Sequence, residues 1–307
     1  MENKESKKLN TIKAVLDKME IGFTAKSKIC GTSTGIYSLD RITSGVTSGD
    51  FWVVAGRPVM GKTSLLLSLA SHIALREHTP SWVISGDQSE ESLIQMILGG
   101  ESQINISNLE RGNLRDSDWP KIINIANSIS DSRLFIKRQP WIDVTALREN
   151  IINSAYGEAE FFPKCIFIDK FNSLTMAKDP QVGANNRAQE LNRCAVELKN
   201  IAVELGLAII ISCDINKGIE ERANRRPCLQ DLRDFSGALE SYSDFVLGLY
   251  RGELYERKFE EPDDLAEIVI MKSRRLSEPM QAIFHSEIAR WYDKSELNRQ
   301  KSGRDLF

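Results

Sequence analysis

The sequence predicts an α/β fold in which helices cover both faces of a mostly parallel β-sheet. Short apolar segments alternate with longer amphipathic segments, which is the pattern of parallel strands joined by crossover helices. The last two apolar segments have no helix between them, so we expect a C-terminal antiparallel hairpin. The predicted strands are residues 51–55, 81–85, 134–137, 164–169, 207–212, 245–250, 266–271 and 280–284. The predicted helices are residues 63–77, 90–98, 116–129, 144–156 and 187–205.

The composition is that of a globular protein without a membrane span. The 307 residues are 41% hydrophobic and 27% charged, with a formal net charge of −3. No segment approaches the roughly 18 apolar residues that cross a membrane, and the charged N-terminus leads into no signal-type apolar core. A cytoplasmic location is therefore expected. The five cysteines and three histidines lack metal-ligand spacing, so no zinc site is predicted.

Three segments of different character divide the chain. Residues 1–30 combine a charged tail with an amphipathic helix over residues 9–20, whose apolar side chains recur at helical spacing. A helix of this length does not bury such a stripe alone, so it docks either on its own domain or on a neighbouring subunit. Residues 31–293 carry the alternating strands and helices, and residues 294–307 form a polar tail.

Residues 56–63 fit the phosphate-loop pattern G-x-x-x-x-G-K-[ST]. A predicted strand enters this segment and a predicted helix leaves it, which is the context in which backbone N–H groups and a helix N-terminus bind a polyphosphate. Lys62 is predicted to neutralise the β- and γ-phosphate oxygens, and Thr63 to ligate Mg²⁺. The alternative is a chance glycine turn. The predicted nucleotide-binding residues are Gly56, Arg57, Pro58, Val59, Met60, Gly61, Lys62, Thr63 and Ser64.

Two acidic residues follow predicted buried strands. Asp169 ends one strand, where a carboxylate can meet the Mg²⁺ of a phosphate loop; the alternative is an ordinary aspartate at a strand end. Asp87 follows another strand and can activate the attacking water as a general base. The alternative for Asp87 is a place ahead of a helix, because Ser89-Glu90-Glu91 suits a first helical turn.

Further motifs lie on both sides of the phosphate loop. They are residues 31–40, Ser48-Gly49-Asp50, the Arg57-Pro58-x-Met60 interior of the loop, residues 110–119, Asn186-Arg187, residues 221–234 and Lys272-Ser273-Arg274. In combination they resemble the motor domain of DnaB-type replicative helicases over about residues 9–293. The resemblance implies a RecA-like core that uses ATP and Mg²⁺. It also implies a hexameric ring around single-stranded DNA, with the N-terminal helix docked on the neighbouring subunit.

The resemblance assigns roles to several catalytic positions. Asp169 corresponds to the Walker B acid, and Asp87 to the family's catalytic glutamate. Lys272 and Arg274 correspond to a lysine and an arginine finger that reach the ATP of the next subunit. A cation supplied in this way stabilises charge on the transferring phosphoryl group. The alternative for these two residues is a solvated basic hairpin.

The same resemblance places a DNA-facing loop at residues 214–237. The segment has a local positive excess, which phosphate contacts require, and few aromatic residues, so backbone tracking is favoured over base stacking. The alternative is a basic surface loop. The predicted DNA-binding residues are Lys217, Arg222, Arg225, Arg226, Arg233 and Gly237.

Three departures from the family pattern bear on activity. Asp87 is one methylene shorter than the family's glutamate, which withdraws the carboxylate by roughly 1–1.5 Å, and such a misplacement can cost about 10²-fold in rate. Asp214 replaces the glutamine that senses the γ-phosphate, and a carboxylate cannot donate a hydrogen bond to phosphate. The third departure is Lys170-Phe171-Asn172, which stands where the family usually has Tyr-Leu-Gln. In addition, Phe235 resembles an insertion in the DNA-facing loop.

The predicted function is an ATP-driven, ring-forming translocase on single-stranded DNA. The family's globular N-terminal domain has no counterpart in the sequence, so we expect a specialised paralogue from a plasmid, phage, genomic island or defence locus, with a separate partner in place of that domain. One alternative, supported by Asp87 and Asp214, is a RecA-like ATPase that serves as a regulatory or scaffolding subunit without unwinding. A second alternative is a filament-forming recombinase, which Lys272-Ser273-Arg274 fits less well.

Overall fold

The computed structural model of the chain describes residues 30–156, 162–176, 187–232, 237–255, 265–274 and 280–294. The helix predicted over residues 9–20 lies outside these ranges, as do Arg233, Phe235 and the polar tail beyond residue 294. No helix within the described ranges is long and apolar enough to cross a membrane.

A nine-stranded sheet organises the described residues. Its strands are β1 (Phe51–Gly56), β2 (Ser81–Ser85), β3 (Leu134–Arg138), β5 (Cys165–Asp169), β7 (Ala208–Asp214), β8 (Phe245–Tyr250), β9 (Leu265–Lys272), β10 (Met280–His285) and β11 (Arg290–Asp293). Their order across the sheet is β11-β10-β9-β8-β1-β7-β5-β2-β3. The short strands β4 (Ile142–Asp143) and β6 (Leu174–Thr175) form a separate pair.

The sheet confirms the predicted α/β class. From β8 to β3 every neighbouring pair is parallel, whereas β8–β9, β9–β10 and β10–β11 are antiparallel. The predicted C-terminal hairpin corresponds to β9 and β10. The prediction omitted β11, because a strand of 4 residues is too short to give a periodic signal.

The described helices flank this sheet. They are α1 (Tyr37–Thr43), α2 (Lys62–Leu75), α3 (Glu90–Ser102), α4 (Ile106–Arg111), α5 (Trp119–Asp131), α6 (Val144–Tyr156), α7 (Arg187–Leu205) and α8 (Gly237–Tyr242). The sequence did not predict α1, α4 or α8, because 6 or 7 residues span barely two turns. Helix α5 begins at Trp119 rather than at residue 116, with Pro120 in its first turn, where proline is tolerated.

Strand β1 contributes to the hydrophobic core on both faces of the sheet. Successive side chains of a strand point to opposite faces. Phe51 and Val53 accordingly pack in one cluster of buried residues, and Trp52 and Val54 pack in the other. All six residues of β1 are buried. Burial on both faces explains why the sequence of this strand is continuously apolar rather than alternating.

Strand direction places functional segments at two opposite edges of the sheet. The register pairs Gly56 with Asp214 and Ser85 with Asp169, so β1, β2, β5 and β7 all end at the same edge. We call this edge the carboxyl edge. Strand β9 runs antiparallel to β8 and pairs Lys272 with Val246 near the start of β8. The end of β9 therefore lies at the opposite edge, which we call the amino edge.

A buried ionic cluster attaches β11 to the helices beside it. The side chain of Glu101 on α3 is 4% exposed and pairs with Arg290 of β11 and, at 3.3 Å, with Arg76. Arg290 also donates to the Ser71 hydroxyl on α2 at 2.8 Å. Burial raises the pKa of Glu101, but Arg290, Ser71 and Arg76 together outweigh that effect, so the pKa lies below its ordinary value.

We predict that Glu101→Gln lowers the free energy of unfolding by about 3 kcal/mol at neutral pH, because it leaves Arg290 without a carboxylate in a buried position. Because the pKa of Glu101 is lowered, this stabilisation is fully present when the pH is above the ordinary pKa of a glutamate carboxyl. It is lost as the pH falls through the lower pKa of Glu101 in the folded state. Denaturant unfolding of both proteins at a series of pH values measures the difference.

Glu77→Gln provides the matched control for this test. The Glu77 side chain is 40% exposed and lies 3.6 Å from His72, so its removal should cost less than about 1 kcal/mol. Equal losses for the two variants would contradict a stabilising role for the buried cluster.

Candidate nucleotide-binding site

The phosphate loop joins β1 to α2 at the carboxyl edge. Val59 and Gly61 adopt positive φ values of 69° and 87°, which turns the chain sharply before the helix begins at Lys62. Gly61 is the N-cap of α2 and provides no side-chain cap. The N–H groups of the first helical turn therefore suit an anion, as the predicted role requires.

Arg251, which directly follows β8, and the C-terminal strands β10 and β11 support this loop from one side. Trp291 donates its indole N–H to the Gly61 carbonyl at 3.1 Å, and Arg251 donates to the Val59 carbonyl at 3.0 Å. Phe284 stacks on Trp291 with ring centroids 4.9 Å apart. The φ of Gly61 favours glycine, and a Cβ atom there would also crowd both rings at 3.1 Å.

Lys62 projects into the loop and is already paired with polar groups. Its ammonium donates to the carbonyls of Gly56 and Arg57, both at 3.0 Å, and lies 2.9 Å from a carboxylate oxygen of Asp214. Its side chain is only 10% exposed. A bound phosphate would therefore compete with Asp214 for this cation.

The remaining loop residues divide into exposed and buried positions. Pro58 and Val59 are exposed, whereas Met60 and Ser64 are buried. Arg57 turns away from the loop and binds Glu220 at 2.9 Å and the Ile215 carbonyl at 3.1 Å. This contact connects the phosphate loop to the segment that follows β7.

Asp169 and Thr63 meet where a phosphate-bound metal ion would bind. The Thr63 hydroxyl donates to one oxygen of Asp169 at 2.9 Å, and the Ser212 hydroxyl donates to the other. Burial raises the pKa of Asp169, although these two hydrogen bonds oppose the shift. The described residues contain no group of three or more His, Cys, Asp or Glu side chains that could hold a metal. This donor set suits Mg²⁺, which is commonly bound by one or two protein ligands together with phosphate oxygens and water.

Asp87 lies beside the site but is engaged by Lys170. The Lys170 ammonium is 3.0 Å from Asp87 and 3.4 Å from Asp214. Its pKa is raised, with the hydrogen bond to Asp87 as the largest cause. The N-cap of α3 is Ser89, which accepts from the Ser92 N–H at 3.2 Å. Capping of this helix is thus performed by Ser89 rather than by Asp87.

Asp214 connects the two lysines of the site. Burial raises its pKa, but Lys62 and then Lys170 outweigh that effect, so the pKa lies below its ordinary value. The carboxylate is therefore held ionised between two cations. Asp214 departs from the family pattern in the sequence, but its two lysine partners are visible only in the structure.

Lys272 and Arg274 lie at the amino edge, away from the phosphate loop of their own chain. Lys272 donates to the carbonyls of Glu240 and Ser241 at 2.6 and 3.2 Å. Arg274 binds the carboxylates of Asp50 at 2.6 Å and Asp244 at 3.2 Å. Asp50 and Asp244 directly precede β1 and β8. The 6 residues of β1 separate this edge from the phosphate loop by roughly 20 Å.

The predicted DNA-facing arginines make contacts within the chain. Arg222 pairs with Asp231 at 2.8 Å, and Arg226 pairs with Glu267, its Nε 2.6 Å from the carboxylate. Arg225 stacks over the Tyr255 ring, 5.1 Å from its centroid. The two ion pairs neutralise part of the predicted positive excess. Lys217 is exposed, Gly237 is the first residue of α8, and Arg233 lies outside the described residues.

Three residues that shape the site were given no such role from the sequence. Arg251 and Trp291 hold the phosphate loop, and Lys170 neutralises two carboxylates. Arg251 follows β8 and Trp291 lies in β11, about 190 and 230 positions from their partners. Local sequence patterns do not predict contacts over such distances. The pairing of Lys170 could have been predicted from the sequence. A lysine directly after Asp169 and an unexpected aspartate at position 214 occur in the same chain, and their opposite charges suggest an ion pair.

Comparison with known proteins gives a consistent assignment. The family model described as "DnaB-like helicase C terminal domain" matches residues 31–293. The chain is 32% identical over 277 residues to the replicative DNA helicase DnaC of Bacillus subtilis, covering 89% of the chain and 59% of that protein. It is 32% identical over 253 residues to a probable replicative DNA helicase of Trieres chinensis, covering 82% and 54%. The chain thus spans somewhat more than half the length of these relatives.

Two solved structures have the same fold as the described residues. One of them, an isolated ATPase domain, superposes with a TM-score of 0.81 at 24% identity, covering 92% of the chain and 97% of that domain. A DnaB-like replicative helicase described with its interactions with primase gives a TM-score of 0.79 at 24% identity, covering 92% and 66%. The phosphate loop, the strand-end acids and the match across residues 31–293 together place the chain in the family of DnaB-like helicase C-terminal domains.

Proposed function

We propose that the chain is an ATP-dependent translocase of the helicase class that forms a ring on single-stranded DNA. The observation that carries the proposal is the division of its catalytic groups between the two edges of the sheet. The phosphate loop and Asp169 lie at the carboxyl edge, whereas Arg274 is bound to Asp50 at the amino edge. A second copy is needed to bring both sets of groups to one nucleotide.

At the carboxyl edge the chain binds MgATP through its own residues. Lys62 and the N-terminus of α2 receive the phosphates, and Thr63 and Asp169 receive the Mg²⁺. Asp87 is the proposed general base for the attacking water, since its carboxylate lies next to this site and is 57% exposed. We expect slow turnover because the aspartate is one methylene shorter than the family's glutamate.

At the amino edge Arg274 and Lys272 act on the nucleotide of the neighbouring subunit. A guanidinium stabilises the charge that develops on the transferring phosphoryl group, and a group of this kind acts mainly on the transition state. To reach that nucleotide Arg274 must leave Asp50 and Asp244. The side chain of Arg274 is 55% exposed, so this rearrangement takes place at the surface. The helix proposed for residues 9–20 completes the contact between subunits in a ring of six.

The segment after β7 is proposed to contact the DNA backbone. Lys217 and Arg225 are the described residues best placed for this role, with Arg233 and the N–H of Gly237 as further candidates. Arg222 and Arg226 contribute only if DNA phosphates replace Asp231 and Glu267 as their partners. Arg57 connects this segment to the phosphate loop through Glu220.

A second function, a RecA-like ATPase that assembles without unwinding, is favoured by a specific observation. Asp87 is paired with Lys170, and two of the predicted DNA-binding arginines are paired with carboxylates. Such a protein would hydrolyse ATP and form the same interface, but single-stranded DNA would not stimulate its turnover. Measuring the ATPase rate with and without DNA separates the two functions.

We predict that Lys62→Ala weakens ATP binding about 10- to 100-fold, because it removes a charged hydrogen-bond donor from the phosphates. Titration with a fluorescent ATP analogue measures the affinity. Lys121→Ala removes an exposed lysine from α5 and should leave the affinity unchanged. If Lys62→Ala binds as tightly as the parent, the phosphate-loop assignment is wrong.

We predict that Arg274→Ala binds ATP nearly normally but hydrolyses it at least about 10²-fold more slowly, because an arginine finger acts on the transition state. Mixing this variant with Lys62→Ala should restore activity above the sum of the two. Mixed assemblies contain interfaces in which an intact phosphate loop faces an intact Arg274.

Two control variants separate catalysis from folding in this experiment. Arg274→Lys keeps a cation beside Asp50 and Asp244 but lacks the planar guanidinium, so it should fold like the parent and still hydrolyse slowly. Arg115→Ala removes an exposed arginine and should change nothing. Absence of complementation in the mixture would contradict the shared active site.

A further inference from the structure

Lys170 occupies a position between two carboxylates at the nucleotide site. Its ammonium lies 3.0 Å from Asp87 and 3.4 Å from Asp214. Asp214 in turn lies 2.9 Å from Lys62. The four side chains thus form a row of alternating charge that runs from the phosphate loop to the proposed general base.

Strand register fixes this row. Asp169 ends β5 opposite Ser85 of β2, and Lys170 follows it directly. Strand β7 lies on the other side of β5 and ends at Asp214. Lys170 therefore leaves the sheet between the two strand ends that carry Asp87 and Asp214, and it reaches both carboxylates without a long loop.

Nucleotide binding changes the charge balance of this row. Lys62 interacts with Asp214 before ATP arrives, but its proposed role requires it to bind phosphate oxygens. The negatively charged Asp214 then faces a negatively charged polyphosphate, and its carboxylate has no N–H group to donate to a phosphate oxygen. Lys170 is the other described cation that is paired with Asp214, so it must neutralise the carboxylate in the ATP-bound state.

We propose that Lys170 is a positioning residue that takes over the task of the missing amide sensor. It neutralises Asp214, holds Asp87 beside the attacking water and turns one N–H toward the γ-phosphate. An ammonium has three donors, of which the two carboxylates use two. This inference rests on the proposed ATPase function, and it assigns recognition of the γ-phosphate to a lysine after β5 rather than to the residue that ends β7.

The test compares nucleotide affinities, which report on γ-phosphate recognition without requiring turnover. Lys170→Met removes the charge and keeps the length of the side chain. We expect it to bind a non-hydrolysable ATP analogue about tenfold more weakly than the parent, whereas its ADP affinity should stay within about twofold. Its turnover number should fall at least about tenfold, because Asp87 is no longer held. Lys170→Arg should retain the parent's preference for the ATP analogue.

Two further variants complete the design. Lys164→Met is the matched control, because Lys164 is exposed at the opposite end of β5 and should change neither affinity. Asp214→Asn introduced into Lys170→Met removes the unpaired carboxylate, so the double variant should recover most of the lost affinity for the ATP analogue. Neighbouring groups that act together give such non-additive effects.

The outcomes separate this inference from the function on which it rests. If the parent chain binds and hydrolyses ATP and the Lys170→Met variant does so equally well, the role of Lys170 is wrong but the proposed ATPase function stands. Equal weakening of ATP analogue and ADP would also overturn it, because a purely structural lysine has no reason to distinguish the two nucleotides. A parent chain that binds neither nucleotide would overturn the proposed function as well.

Discussion

The parallel pairing of β1, β2, β5 and β7 is the constraint on which the site depends. Their register brings the phosphate loop, Asp169, Asp87 and Asp214 to one edge of the sheet, although more than 150 residues separate the first from the last. Strand β9, which is separated from β1 by β8 and runs antiparallel to β8, ends shortly before Arg274 at the other edge. Strand direction therefore separates the proposed nucleotide site from the cation proposed to act on it, and this separation favours the proposal of an active site built from two copies.

Charge balance is the second organising feature. Every ionised group at the pocket has an opposite charge within 3.4 Å or a hydrogen bond from a hydroxyl. Under the proposed function, ATP would compete with Asp214 for Lys62, so its binding would disturb the last residue of β7. The segment after β7 is connected to the phosphate loop by Arg57, which binds both Glu220 and the Ile215 carbonyl. These contacts provide a physical route by which the nucleotide state can reach the proposed DNA-facing segment.

Local sequence predicted the parts of this structure that carry local signals. The phosphate loop has a fixed residue spacing, and buried parallel strands are continuously apolar. These two patterns predicted β1, β5 and the positions of Asp87 and Asp169. The sequence did not predict β11, whose Trp291 supports Gly61, or the pairing of Arg226 with Glu267. Such contacts join residues far apart in sequence, and side-chain chemistry alone does not specify which acid meets which base.

The most direct test of a shared active site is electron microscopy of the chain with a non-hydrolysable ATP analogue, Mg²⁺ and single-stranded DNA. The two-edged arrangement predicts closed rings in which Arg274 has left Asp50 and lies within hydrogen-bonding distance of the phosphates bound to the next subunit. Monomers that hold the nucleotide while Arg274 remains on Asp50 and Asp244 would contradict it.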